Sequence, residues 1–115
     1  MSNYDYDDIA KKYYDKFIGW GLPEVGAWSM AEYIVRGTVP GGFISAVMAN
    51  NLVDAVGRAD GTNIDLLKYY TKAVYNEVPT AATGSYDKVH AWIEHGGLSG
   101  RGSVAFAHIR TGGPE

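Results

Sequence analysis

The stretch Phe43-Ile44-Ser45-Ala46-Val47-Met48-Ala49-Asn50-Asn51-Leu52-Val53-Asp54-Ala55-Val56-Gly57-Arg58-Ala59 decides the fold class. Ile44, Val47, Met48, Leu52, Ala55, Val56 and Ala59 recur there at three- and four-residue intervals, the spacing that lines one face of an α-helix. This predicts one central helix over residues 43–59, with Ile44, Val47, Met48, Leu52 and Val56 in the core. Gly57 inside such a helix costs roughly 1 kcal/mol relative to alanine, and so marks a close packing contact or a bend.

Upstream, the turn from Gly37 to Gly42 separates this stretch from a second helix, Glu24 to Arg36, which offers Trp28, Met30, Tyr33 and Ile34 for burial. Gly19-Trp20-Gly21-Leu22-Pro23 closes a first helix, Tyr4 to Ile18, whose Tyr6, Ile9, Tyr13 and Phe17 share a face. Asp5, Asp7 and Asp8 at its start and lysines further along complement the helix dipole. Downstream, Thr62 is expected to cap a helix from Asn63 to Glu77 that buries Ile64, Leu67, Tyr69 or Tyr70, and Val74, until Pro79 stops it. Ser85 caps a last short helix through His95, with Val89, Trp92 and Ile93 inward and Gly96-Gly97 closing it. The reading is an all-α, compact bundle of about five short helices in one domain over residues 1–97, in which residues 1–25 are an N-terminal extension. Residues 98–115 form a Gly-rich tail, expected to be flexible or ordered by assembly, with residues 104–109 as a segment that pairs as a strand or docks on another chain.

The 115 residues, 46% of them hydrophobic, suffice for one domain rather than a two-domain enzyme. A net charge of −3 lacks the basic excess that drives binding to a phosphate backbone, which argues against duplex nucleic acid as a partner. The chain has no cysteine, so disulfides, thiolate nucleophiles and cysteine-zinc sites are excluded, in keeping with a reducing compartment. Neither a leader-like apolar start nor a run near 18 apolar residues is present, so a cytoplasmic protein without a membrane partner is expected. Nine Tyr, three Trp and three Phe exceed what five short helices hide in one core, and that surplus points to a homo-oligomer.

The residues that carry chemistry suggest binding rather than catalysis. His90 and His95 stand five apart on one helix, about 140° apart around its axis, where a metal pair wants a spacing of four, so no metal site is assigned. Ser85 reads as a helix cap rather than a nucleophile, and the paired carboxylates lie at helix starts that stabilise their charge. No catalytic residue and no cofactor is expected. Gly41-Gly42 before a helix exposes backbone N–H groups to an anion, although a plain turn explains the run as well. Arg101, among the tail's glycines and hydroxyls, is a candidate phosphate contact. Tyr33 lies one turn before Arg36 and near the glycine turn, which gives a π-face, a cation and backbone donors within one region.

Tyr33-Ile34, Val39-Pro40-Gly41-Gly42-Phe43, Ala46-Val47-Met48-Ala49-Asn50-Asn51-Leu52, Arg58-Ala59-Asp60, Asn63, Tyr75-Asn76-Glu77-Val78-Pro79, Gly84-Ser85, Val89 and Trp92 together form a spaced pattern covering a little over half of the chain. In this pattern the chain resembles a widespread group of small bacteriophage proteins, which often carry Asp at the position of Asn51 and Cys-Trp at Ala82-Thr83. That group in turn resembles the helical phage sponges that oppose CBASS immunity by sequestering cyclic nucleotides, as oligomers and without cleaving the ligand. The local chemistry and the resemblance together give a ligand-binding set of Tyr33, Arg36, Gly41, Gly42, Asn50 and Arg101, in which the resemblance implies the stacking role for Tyr33, while Arg101 lies beyond the shared region and the middle helix has no lysine near Met48 or Ala49 for the phosphate. A second expectation, from the aromatic surplus and acidic charge, is an adaptor that binds and redirects a host protein.

Overall fold

Asp5 starts the first helix: its carboxylate accepts hydrogen bonds from the backbone N–H groups of Asp7 and Asp8 at 3.0 and 3.2 Å, satisfying two donors that the helix leaves free. The computed structural model describes residues 5–101, and among these every regular element is helical. Helix α1 (Tyr6–Gly19) runs along α2 (Glu24–Arg36), to which it makes its most extensive contact. α2 is the core element, burying Ala27, Met30, Ala31, Tyr33, Ile34 and Val35. Then come α3 (Gly42–Met48), α4 (Leu52–Arg58), α5 (Gly61–Glu77), a 3-10 turn at Thr80–Ala82, α6 (Tyr86–His95) and a second 3-10 turn at Gly97–Ser99.

The predicted helix over residues 43–59 is two helices. α3 ends in a Schellman arrangement: Asn50 adopts a left-handed φ of 61°, its N–H donates to the Val47 carbonyl at 3.1 Å, and the Asn51 N–H donates to the Ala46 carbonyl at 3.0 Å. Asn51 then caps α4 by accepting from the Asp54 N–H at 2.9 Å. Two adjacent asparagines, one tolerant of the left-handed region and one an N-cap, thus stop one helix and start the next, giving six α-helices instead of five. The break also turns α4. Ile44, Val47 and Met48 are buried as expected, but Leu52 is 62% exposed and Val56 44%, and Ala55 is the residue of α4 that reaches the core. Gly57 has open space around its absent Cβ, so neither close packing nor a bend requires it.

Smaller differences have equally local causes. Asp60, not Thr62, caps α5, accepting from the Asn63 N–H at 2.7 Å, and the helix starts two residues earlier. Tyr70 and Ala73 are the buried residues of α5, while Ile64 and Tyr69 are exposed, as is Trp28 of α2, whose ring stacks on Tyr14 with centroids 4.2 Å apart. Tyr70 meets Phe43 edge to face at 5.1 Å, joining α5 to α3. Trp20 Nε1 donates to Glu77 at 2.9 Å and fixes the end of α1 to the end of α5.

Ser85 caps α6 as expected, accepting from the Lys88 N–H at 3.1 Å. α6 docks on the end of α2 through Trp92, whose Nε1 donates to the carbonyls of Tyr33 and Ile34 at 2.9 and 3.2 Å. Gly37 and Gly97, with φ of 71° and 65°, bring the two chain segments into backbone contact: a Cβ on Gly97 would stand 2.7 Å from the Gly37 nitrogen and 2.6 Å from the Ile34 oxygen. Leu98 to Gly100 therefore continue the packed structure, with the Gly97–Ser99 turn against α2. Residues 1–4 and 102–115 lie outside the described residues, and with them the strand expected at residues 104–109. No helix among the described residues is long and apolar enough to cross a membrane.

Candidate functional site

The residues singled out from the sequence go to four different places. Tyr33 is entirely buried in α2, and its hydroxyl donates to the Ala82 carbonyl at 2.5 Å. Burial pushes its phenol well above the usual tyrosine range. A ring with no exposed face stacks on no ligand, so the stacking role expected of Tyr33 is withdrawn. Arg36, at the end of the same helix, is half-buried and committed: its guanidinium donates to both Glu32 carboxylate oxygens at 2.9 Å and to Asp7. With Asp5, Tyr6, Asp7, Ser99 and Arg101 it lines a cavity of about 400 Å³. The structure thus brings Arg36 and Arg101 together, but two carboxylates on the same wall balance the two guanidiniums, and Asp5 is occupied as a helix cap. Gly41 and Gly42 open α3, a helix of only seven residues, and Arg58 lies over Gly42 with Nη1 2.9 Å from where a Cβ would stand.

Asn50 is in the fourth place, and the geometry there is different. Two cavities, of about 380 and 250 Å³, share Val47, Asn50 and Thr71 in their walls and together make a trough between the α3–α4 turn and α5. The larger is completed by Val74, Tyr75, Val78, Thr80, Thr83 and Gly84. Its size lies within the range of small-molecule sites, and its wall has the expected make-up of apolar side chains with a few polar groups. Tyr75 is 89% exposed in this lining, an aromatic ring without a stacking partner among the described residues. The Asn50 side-chain amide is exposed and has no hydrogen-bond partner among the described residues. Gly84 lines the same cavity: its N–H donates to the Met48 carbonyl at 2.8 Å, and the Thr83 hydroxyl donates to the same oxygen. The Lys88 side chain folds back over Gly84, its Nζ 3.5 Å from the position of a Cβ there, and it pairs with no carboxylate among the described residues.

The trough therefore has the open Tyr75 ring and Asn50 in an otherwise largely apolar wall, and the Lys88 ammonium lies over Gly84 outside that lining. Such a set can stack a flat heteroaromatic ring, read its edge and receive an anion. Tyr75 and Lys88 were missed from the sequence, although Tyr75 carried a signal. It falls five residues after Tyr70, about 140° around the helix from that buried ring, and so lies off the apolar stripe of α5. Lys88 has no such signal: it stands four residues after Gly84 in the first turn of α6, where a lysine reads as an ordinary solvated residue. On α6, His95 Nδ1 lies 3.0 Å from the Gly97 carbonyl, and among the described residues no three His, Asp or Glu side chains gather as a metal site would need.

No family model matches the chain, and no curated protein or solved structure does so either.

Proposed function

We propose that this chain is a phage-encoded, non-catalytic binder that sequesters a cyclic oligonucleotide or related nucleotide immune signal in the cytoplasm of the host cell, with the trough beside α5 as its site. The observation that carries this reading is the exposed Tyr75 ring lining an apolar trough, with the Lys88 side chain lying over Gly84, another residue of that lining, and pairing with no carboxylate among the described residues. A base stacks on the tyrosine and slides against Val74 and Val78, and the phosphate reaches Lys88. The resemblance of residues 33–97 to small phage proteins supports the same reading, with Tyr75 and Lys88 taking the stacking and phosphate roles.

The energetics favour more than one copy. A sponge that outcompetes a host receptor needs nanomolar affinity, about −12 kcal/mol. One stacked base contributes roughly 1–3 kcal/mol and one charge-assisted hydrogen bond roughly 1.5–3. A single trough falls short, whereas two troughs on two subunits each take one base of a cyclic dinucleotide. Calorimetry of the full chain against cyclic di- and trinucleotides and cyclic ADP-ribose isomers, with chromatography of the recovered ligand, tests the proposal. Binding with intact ligand returned is the expected result, and Tyr75→Ala should weaken it about tenfold or more. Degraded ligand would make the protein an enzyme, and no binding by any of them would end the nucleotide reading.

The host-protein adaptor is favoured by one specific observation, the outward Leu52, Val53 and Val56 of α4. If no nucleotide binds and a pull-down captures one host protein, this reading replaces the first.

A further inference from the structure

We propose that a groove along α6 is the seat of this chain's own tail, with residues 104–109 laid over Val39 and Ile93, an inference independent of the nucleotide reading. The groove is a cavity of about 440 Å³ walled by the segment after α2, by α3 and by α6, and it shares no lining residue with the trough. Its apolar part is Val39, Val89 and Ile93, with Tyr86 and Glu94 marking its extent along α6. Val39 is 69% exposed and Ile93 half-buried, so apolar surface lies open there. Glu94 is exposed and pairs with no cation among the described residues.

Where the described chain ends decides the occupant. After α6 the Gly97–Ser99 turn packs on α2, and Gly100 comes back against α6: a Cβ there would stand 3.5 Å from Cε1 of His95, the residue that follows Glu94. Beyond Arg101 the sequence carries the apolar run Val104-Ala105-Phe106-Ala107-His108-Ile109. An extended chain covers at most about 3.6 Å per residue, so Phe106 reaches about 18 Å from Arg101. From His95 back to Tyr86 the helix rises about 14 Å, which puts the whole groove within that reach. Laid extended, the run turns Val104 and Phe106 to the same side, where Val39 and Ile93 receive them. The charges also agree, since Arg110 is the one formally charged residue from 102 to 114, and α6 offers the exposed carboxylates of Asp87 and Glu94. A tether holds the segment near the groove at roughly millimolar effective concentration, so a contact too weak to retain a separate partner keeps the tail seated.

The native chain has no cysteine, so a pair of introduced thiols reports on this contact alone. In the full chain carrying Val39→Cys and Phe106→Cys, dilute and exposed to oxidised glutathione, a disulfide should close within the monomer, seen as a faster band on a non-reducing gel. The control is Val25→Cys with Phe106→Cys, because Val25 is 84% exposed and lies on α2 about 17 Å along the helix from Arg36, within the tail's reach. The groove pair should close about tenfold faster or more than the control pair. Equal rates overturn the proposal, and cross-linked dimers in place of closed monomers give the groove to a second copy's tail and overturn it as well. Thermal unfolding supplies a check without cysteines. Phe106→Asp and Val39→Lys should each lower the midpoint by roughly 4 °C or more, and the double variant should fall no further than the singles, as expected of two residues in one contact. A Phe106→Asp chain that melts with the native one, or two losses that simply add, overturns the seat assigned to the tail.

Discussion

Gly26 lies against the Tyr70 hydroxyl with no room for a methyl group: a Cβ there would stand 1.9 Å from the oxygen and 2.9 Å from Cζ. Tyr70 is buried against Phe43 and cannot swing clear. Gly26→Ala, which in an exposed helix would gain about 1 kcal/mol, should here cost about 1–3 kcal/mol by overpacking. Adding Tyr70→Phe removes the oxygen and should restore part of the loss; urea midpoints for the two variants read it directly. An alanine variant as stable as the native chain would show that α2 and α5 shift apart freely. The same scale decides how the site was to be found. Tyr33 and Tyr75 are one residue type on two helices, and proximity in sequence to Arg36 and the glycine turn favours the first. What separates them is that Tyr33 lies beneath α6 and the Ala82 turn, a relation between segments about 50 residues apart that no local spacing encodes.

Between α4 and α6 the link is the Tyr86 hydroxyl, which donates to Asp54 while Arg58 donates to the other carboxylate oxygen at 3.0 Å. Tyr86 first, and Arg58 second, hold the Asp54 carboxyl below its ordinary value of 3.8, and the same hydrogen bond raises Tyr86 above its ordinary 10.0. The signs follow from linkage. Asp54 contributes stability that is present above its unfolded pKa and lost as pH falls through its lower folded one. Tyr86 contributes stability that is present below 10.0 and lost as pH rises through its raised folded value. Tyr86→Phe should therefore lower the thermal midpoint at neutral pH and converge on the native value at both extremes. A gap that persists unchanged below about pH 3 would place the source elsewhere. Elements ended by unmistakable caps were legible: Gly37 after α2, Ser85 before α6 and Gly96 after it behave as read. The stretch 43–59 was not, because its apolar spacing runs on across the Asn50-Asn51 break. The caps were visible there too, as two asparagines with Asp54 three residues on, but periodicity overrode them.

For the molecule as a whole, the turned α4 leaves Leu52, Val53 and Val56 exposed; under the nucleotide reading we assign this face to contact between copies, and under the adaptor reading the host protein takes it instead. Val53 is 84% exposed, so Val53→Lys should leave the fold intact. In sedimentation at micromolar concentration the native chain should associate and the lysine variant should run as a monomer of 12.5 kDa; a native monomer would remove self-association from the account. The ends of α2 and α6 constrain the molecule in another way. Where Gly26 meets a side chain, a shorter partner can relieve a substitution, so that pair can drift together through a double change. Gly37 and Gly97 meet backbone to backbone, and neither has anything left to shorten. No second substitution at either position can compensate for a first. Across any lineage that keeps this fold both glycines should stay fixed, and a saturation library should recover Gly26 revertants through Tyr70 but none for Gly37 through Gly97.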